Sequence, residues 1–392
     1  MPIRILPSTL VNQIAAGEVV ERPASVIKEL VENAIDAGAT SVEVTLVDGG
    51  KSLMIVSDNG KGMSPDELEL AVERHATSKL PDDNLFNINF LGFRGEALPS
   101  ISSVARLSII SRTKDADSAW KIEVNGGEKS KPVPVSGICG TRIEVRDLFY
   151  ATPARLKFLK ASVSETNACV DILTRIALAN PHISFYLKDG DRKKLSLNAE
   201  QGELFDARLK RLSEVMGREF GENSVLIDAA RENLRISGYV SLPTLNKANS
   251  LHQYLFVNNR PVRDKLLLGA IKGAYMDVLA SNRYPLCALF FDLDPAYVDV
   301  NVHPAKAEVR FYDNALVRGL LVSAIRNALN TESRRASQTL DLAAFVQDAI
   351  PDFGVPQTAP SMPASGLPAD IPETVELREH HPRPAAFSFQ RD

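Results

Sequence analysis

The tight turn Asp48-Gly49-Gly50 falls between two short segments of alternating apolar residues, Val42-Val44-Leu46 and Leu53 to Val56. So short a break cannot hold the crossover that parallel strands need, so the two segments pair as a hairpin. Alternation buries one face of the resulting sheet and leaves the other polar. Just upstream, from Pro23 to Ala37, Val26, Leu30 and Ala34 recur at helical spacing, as do Ile27, Val31 and Ile35. Pro23 suits the first turn of that helix and Gly38 its end. Leu107–Ser111, Trp120–Val124 and Thr141–Val145 extend the same sheet. A helix followed by mostly hairpin-connected strands predicts an α+β sandwich, not a doubly wound parallel sheet.

Ser64-Pro65-Asp66-Glu67 carries a capping box and predicts a helix through Arg74. A helix over Ser164–Ala179 follows the basic stretch Arg155 to Lys160. Beyond residue 205 a second set is expected, with helices near Leu204–Met216, Asp264–Leu279 and Ala315–Asn330. Its strands are Leu234–Val240, Gln253–Val257 and Leu286–Asp292. We therefore expect a first domain over 1–205 and a smaller α+β domain over 206–332. Residues 333–392 hold 8 of the 23 prolines, with 5 Lys/Arg against 8 Asp/Glu. Such a segment buries too little apolar surface to offset its chain entropy, so a disordered linker or tail is expected there. A short interaction helix over Leu340–Ile350 is expected inside it, and the stop within this stretch suggests a fragment of a longer chain.

Composition excludes other classes. At 392 residues, 44% hydrophobic and 24% charged, the chain is neither fibrous nor wholly disordered. A formal charge of −4 argues against a basic surface all round, while leaving room for a local basic groove. Cys139, Cys169 and Cys287 form no paired motif, which favours a reducing compartment over a zinc site or disulfide framework. No run of apolar residues is long enough to span a bilayer, so a cytoplasmic protein without membrane contact is expected.

Two apparent nucleotide motifs fail. Gly49-Gly50-Lys51-Ser52 resembles the end of a phosphate loop, but Thr45 stands where its first glycine belongs. Gly60-Lys61-Gly62 lacks a third glycine, because Pro65 occupies that place. Better signals lie elsewhere. Glu29 and Asn33 are four apart on the first helix, with Asp36 one turn on. A carboxylate above an amide can activate water beside a phosphate-held magnesium, or form a plain solvated helix face. Asp58-Asn59-Gly60-Lys61-Gly62 leaves a strand and can offer a carboxylate to an amino group, or merely make a turn. Leu91 to Leu98 is a glycine-rich lead into a helix that can cradle phosphate, with Thr77-Ser78-Lys79 just upstream, or a mobile loop.

In that order, with Gly140-Thr141 before a strand, these segments resemble the four-part ATP site of the GHKL superfamily. Within it, Asn12–Val20, Arg74–Lys79, Gly92–Leu98 and Asn301-Val302-His303-Pro304-Ala305-Lys306 resemble the MutL family of mismatch-repair proteins over roughly residues 1–332. The resemblance implies a slow, magnesium-dependent ATPase with Glu29 as general base and Asn33 as magnesium ligand. It implies that Asp58 reads the adenine amino group beside Thr141, while Gly60 and Gly62 admit the nucleotide. Thr77, Ser78 and Lys79 would line the site, and Gly92, Phe93, Arg94, Gly95, Glu96, Ala97 and Leu98 would form the lid. Lys306 would reach the γ-phosphate from the second domain.

The implied cofactors are ATP and Mg2+. The implied partners are DNA, single or double stranded and without sequence preference, the mismatch-recognition protein MutS, a downstream nuclease or helicase, and a second copy in an ATP-dependent homodimer. The family's nicking activity resides in a further domain with a DQHA-type motif absent here, so no endonuclease is expected. For DNA contact we single out Arg155, Lys157 and Lys160, and Arg260, Arg263 and Lys265, each near a helix start where a solvated end is the alternative. His75 and His303 are read as packing or loop-fixing residues, and Trp120 as a half-buried strand residue. Two rival functions remain: a type II topoisomerase-like ATPase gate, and a nucleotide-binding scaffold without turnover.

Overall fold

The computed structural model describes residues 8–74, 76, 95–299 and 309–348, apart from the side chains of 8–11, 15, 18 and 333–348. Residues 1–338 form one compact unit. It opens with α1 (Ser8–Val19) and α2 (Pro23–Asp36), then the hairpin β1 (Ser41–Val47) and β2 (Leu53–Asp58). Next come α3 (Pro65–Ala71), α4 (Ala97–Val104), β3 (Arg106–Arg112), β4 (Ala119–Asn125), β5 (Glu128–Lys129), β6 (Val133–Val135) and β7 (Gly140–Arg146). The short α5 (Pro153–Leu156) and long α6 (Ser162–Ala179) lead to β8 (Ser184–Asp189) and β9 (Arg192–Leu197).

Among the described residues these strands make a nine-stranded sheet in the order β5-β4-β3-β7-β2-β1-β8-β9, with β6 beside β4. Every pairing is antiparallel except β1 with β8, as the hairpin connections require. Val42, Val44 and Leu46 face inward with Val26, Ile27, Leu30 and Val31 of α2, and Trp120 packs half-buried against the same core. This is the expected α+β sandwich.

The second part contains α7 (Leu204–Met216), α8 (Arg218–Glu222), β10 (Ser224–Arg231), β11 (Leu234–Ser241), β12 (Asn246–Lys247), β13 (Gln253–Val257) and β14 (Arg260–Val262). After α9 (Lys265–Ala274) come β15 (Tyr284–Pro285), β16 (Cys287–Leu293), β17 (Val298–Asp299), β18 (Arg310–Phe311) and α10 (Asn314–Asp348). A five-stranded sheet runs β10-β11-β16-β13-β14, and β12–β15 and β17–β18 form two small ribbons. Strands β13 and β16 are buried almost throughout, because α9 and α10 cover one face while α7 and the end of α6 cover the other.

Three helix ends differ from expectation. Helix α3 stops at Ala71, not Arg74, because Glu73 N–H turns back to the Leu70 carbonyl and its side chain pairs with Lys129. Helix α9 stops at Ala274, not Leu279, where buried Tyr275 anchors its hydroxyl on the Ser241 carbonyl at 2.5 Å. Helix α10 runs to Asp348, past the expected linker start at 333. All the prolines of 333–392 lie from Pro351 onward, so the run before them is compatible with helix, and α10 takes in the helix expected at Leu340–Ile350 as far as Asp348.

Arg211 of α7 is fully buried and joins the two sheets. Its guanidinium donates to the carbonyls of Ala177 (3.0 Å), Pro181 (2.9 Å), Ile183 (3.1 Å) and Asn198 (2.6 Å). Those acceptors are main chain, so no second substitution can remove them. Replacing Arg211 by the similarly bulky Met should cost about 3 kcal/mol in urea unfolding, because buried carbonyls lose charged donors.

Candidate nucleotide site

Asp58 ends β2, and its register partner on β7 is Thr141. Its Oδ1 accepts from the Gly60 N–H at 2.8 Å, and the Thr141 N–H also donates to the carboxylate. Burial nevertheless outweighs both donors and raises its pKa. Thr141 Oγ1 lies 2.9 Å from Ser111 Oγ, which donates to the Gly140 carbonyl and accepts from the Met63 N–H at 2.9 Å. Sequence reading missed Ser111. Its signal was there, since Ser111 follows Leu107 and Ile109 on the inward face of β3, where a hydroxyl needs partners.

The loop after Asp58 docks on the end of α2. Asn59 Oδ1 accepts from the N–H groups of Thr40 (2.8 Å) and Ser41 (2.9 Å), and Lys61 N–H donates to the Ala37 carbonyl at 3.0 Å. Gly60 presses against that same Ala37 carbonyl, so this glycine is required by the chain's own backbone. Gly62, at φ +72°, would drive any Cβ into the Arg112 carbonyl. Neither glycine therefore needs a ligand to explain it, although both border Asp58.

Glu29, Asn33 and Asp36 lie on α2 away from its buried Val26, Ile27, Leu30 and Val31. All are half-buried, which is not the plain solvated face that a polar helix would show. Neighbouring Glu32 is buried, 3.8 Å from Lys28, and takes no part in that row. No ion pair engages Glu29 among the described residues. A carboxylate and an amide thus stand one turn apart, and the docked loop brings Asp58 to the same end of the helix.

Of the expected lid, Gly95, Glu96, Ala97 and Leu98 form the half-buried start of α4, with Gly95 at φ +60°. Thr77, Ser78, Lys79, Gly92, Phe93, Arg94 and Lys306 lie outside the described residues, as do His75 and His303. The two basic clusters divide by exposure. Lys157, Lys160, Arg263 and Lys265 are exposed, and Arg260 is half-buried. Arg155 turns inward, donating to the Val20 carbonyl at 2.7 Å, so one member of the first cluster is taken up by α1.

The chain is similar to known proteins over most of its length. Residues 21–148 match the family model described as histidine kinase-, DNA gyrase B- and HSP90-like ATPase. Residues 212–330 match the one described as DNA mismatch repair protein, C-terminal domain. The DNA mismatch repair protein MutL of Paramagnetospirillum magneticum is 63% identical over 340 residues, covering 87% of this chain and 56% of that relative. That of Rhodospirillum rubrum is 61% identical over 345 residues, covering 88% and 55%. The chain thus spans little more than half the length of these relatives.

Among solved structures, it is similar to the N-terminal domain of a DNA repair protein, with TM-score 0.68 at 27% identity, covering 82% of this chain and 98% of that one. It is also similar to the Aquifex aeolicus MutL ATPase domain complexed with ADP, with TM-score 0.56 at 30% identity over 77% of this chain and 98% of that one. The chain belongs to the MutL family of DNA mismatch repair proteins, and its N-terminal region has the GHKL-type ATPase fold.

Proposed function

We propose that the chain is a slow ATPase switch of DNA mismatch repair, using ATP with Mg2+. The observation that carries this reading is the docking of the Asp58 loop onto the end of α2, one turn beyond Asn33. It brings a carboxylate suited to an adenine amino group to the helix that presents Glu29 and Asn33. Asp58 accepts from the base, with the Thr141 and Ser111 hydroxyls closing the pocket beside it. The Asn33 amide oxygen is a hard, neutral donor, which fits a magnesium ion already held by phosphates. When bound, that ion offsets phosphate charge. Glu29 takes the proton of the attacking water. Gly92 to Leu98 cover the phosphates, with Thr77, Ser78, Lys79 and Lys306 completing the site.

On this reading, residues 1–205 form the ATP-binding domain, 206–332 a second domain and 333–392 a linker. ATP draws the segment Gln13–Glu18 and the lid into a surface that pairs two chains, and hydrolysis releases them. The pair would hold DNA through Lys157, Lys160, Arg263 and Lys265, and pass a signal from the mismatch-recognition protein MutS to a nuclease or helicase without cutting DNA itself. Among the described residues no helix is long and apolar enough to cross a membrane. We place this work in the cytoplasm.

Magnesium-dependent ATP hydrolysis, followed across protein concentrations, should rise faster than linearly. Glu29→Ala should lose it while still binding ATP. Binding without turnover in the unmutated chain would instead make it a scaffold.

Asp58 accepts a hydrogen bond from an amino group most strongly, and through either oxygen, while ionised. With its pKa raised, nucleotide affinity should therefore fall on acidification earlier than an ordinary carboxylate would allow. Stability runs the other way: the native state favours the protonated carboxyl, so its contribution is greatest in acid and is lost as pH rises through the raised pKa. Asp58→Asn should bind nucleotide about tenfold or more weaker, yet match or exceed the unmutated chain in melting temperature at pH 7. That stability gap should close in acid.

Arg263→Glu should weaken duplex retention at low salt and leave ATP hydrolysis near normal. Unchanged retention would remove this surface from the DNA path.

A further inference from the structure

Phe149 is fully buried yet its backbone is left-handed, at φ +68°. A bulky residue keeps that conformation only where its surroundings enforce it. Its N–H donates to the Val104 carbonyl at 2.8 Å and so closes the C-terminal end of α4. Its ring carries the guanidinium of Arg155 at 4.7 Å. Arg155 Nη2 in turn donates to the carbonyls of Gly17 (3.3 Å), in the last turn of α1, and Val20 (2.7 Å), just past its end. Gly17 has no side chain to hold the flat group off the helix.

Two packed helices therefore finish on one stacked pair. They also touch between their ends, where Ser103 Oγ donates to the Asn12 carbonyl at 3.4 Å. Burial lowers the Arg155 pKa, and Nη1 is buried with no hydrogen-bond partner among the described residues. Helix α4 starts at the lid residues Gly95 to Leu98, and α1 carries Gln13. Just beyond Arg155 the chain exposes Lys157, Lys160 and Phe158, the last a residue 86% accessible.

We propose that Arg155, stacked on Phe149, is a positioning residue for the nucleotide lid. It fixes the ends of α1 and α4 against one another, so that the lid helix and the N-terminal helix move as one piece with the basic loop at 153–160. This rests on the ATPase reading above. Arginine suits the task because its planar group can stack on a ring while bridging two carbonyls; the lysine ammonium is a point charge. A lid displaced by about 1 Å lowers turnover without altering how the base is read.

The test compares the unmutated chain with Arg155→Ala, Arg155→Lys and Arg106→Ala. Arg106 is a control from the same neighbourhood, stacked on Tyr150 at 5.1 Å and paired with Asp147, without contact to α1. Turnover at saturating ATP, ADP affinity and hydrogen exchange of the α1 amides are read for each. Arg155→Ala should lower kcat about tenfold, leave ADP affinity unchanged and speed exchange at the end of α1. Arg155→Lys should recover little of the lost kcat, and Arg106→Ala should match the unmutated chain. Normal kcat in Arg155→Ala, full recovery by lysine, or an equal loss of kcat and ADP affinity would each overturn the proposal. If the unmutated chain turns over no ATP, the ATPase reading itself falls first, which separates the two failures.

Discussion

The guanidinium of Arg211 lies where three pieces of main chain meet: the end of α6, the turn into β8 and the exit from β9. Burying a charge is costly unless its donors are matched, and here Nη1 and Nη2 are matched by carbonyls that the chain must satisfy anyway, while Nε has no hydrogen-bond partner. The same charge that makes Arg211 expensive to bury makes its hydrogen bonds strong and directional. Its Nε, 3.9 Å from the Glu214 carboxylate, adds an ion pair too long for a hydrogen bond. Around it Leu178 and Ala179 of α6 pack with Leu212 of α7 and with Phe256 and Phe290 of the second sheet. Apolar packing alone would let α7 slide on α6, whereas carbonyl acceptors at set positions hold it in one register.

That register matters because α6 also serves the first sheet. Its start meets the hairpin turn, where Ser162 bonds Asp48, and Thr166 Oγ1 donates to Asp189 on β8 at 2.5 Å. Glu165, buried beneath it, takes two bonds from Arg22 at the entry to α2 and one from the Lys160 N–H. The helix bearing Glu29 and Asn33 is thereby tied at its start to α6 and at its end to the Asp58 loop. A helix held at both ends keeps its side chains at set heights, which any in-line attack on a phosphate requires.

The parts legible in the sequence were those whose causes are local. Pro23 and Gly38 bracket α2, and the Ser64–Glu67 capping box opens α3, because caps act within a few residues of themselves. Alternation exposed β1, β2 and the strands that follow for the same reason. Arg211 carried no such signal, since its partners are carbonyls 13 to 34 residues away and any residue supplies a carbonyl. Arg155 misled in the opposite direction: a cation among lysines reads as a phosphate contact, and only the fold shows it turned towards α1. Gly60 and Gly62 read as room for a ligand, yet the Ala37 and Arg112 carbonyls already account for both. In each case the deciding partner was backbone, which has no letter in the sequence.

Local rules of burial and backbone conformation are broken at several points in the chain. Asp58 is desolvated past what its two donors restore, Phe149 holds a left-handed backbone, and Arg155 keeps a buried donor unmatched. Arg208 and Arg211 likewise keep a buried Nε without a hydrogen-bond partner, and the Arg208 guanidinium carbon sits 3.7 Å from the centre of the Phe290 ring in the second sheet. All three arginines are offset in the same way, by a carboxylate whose field favours the charge and by hydrogen bonds from the other nitrogens. Near Asp58, no cation is among the influences that shift its pKa. A carboxylate left costly in the free protein gains from any amino group that arrives, so part of the binding free energy comes from relief of that burial. The strain at Phe149 works at the other end of the same machinery, holding two helix ends where a relaxed backbone would let them part.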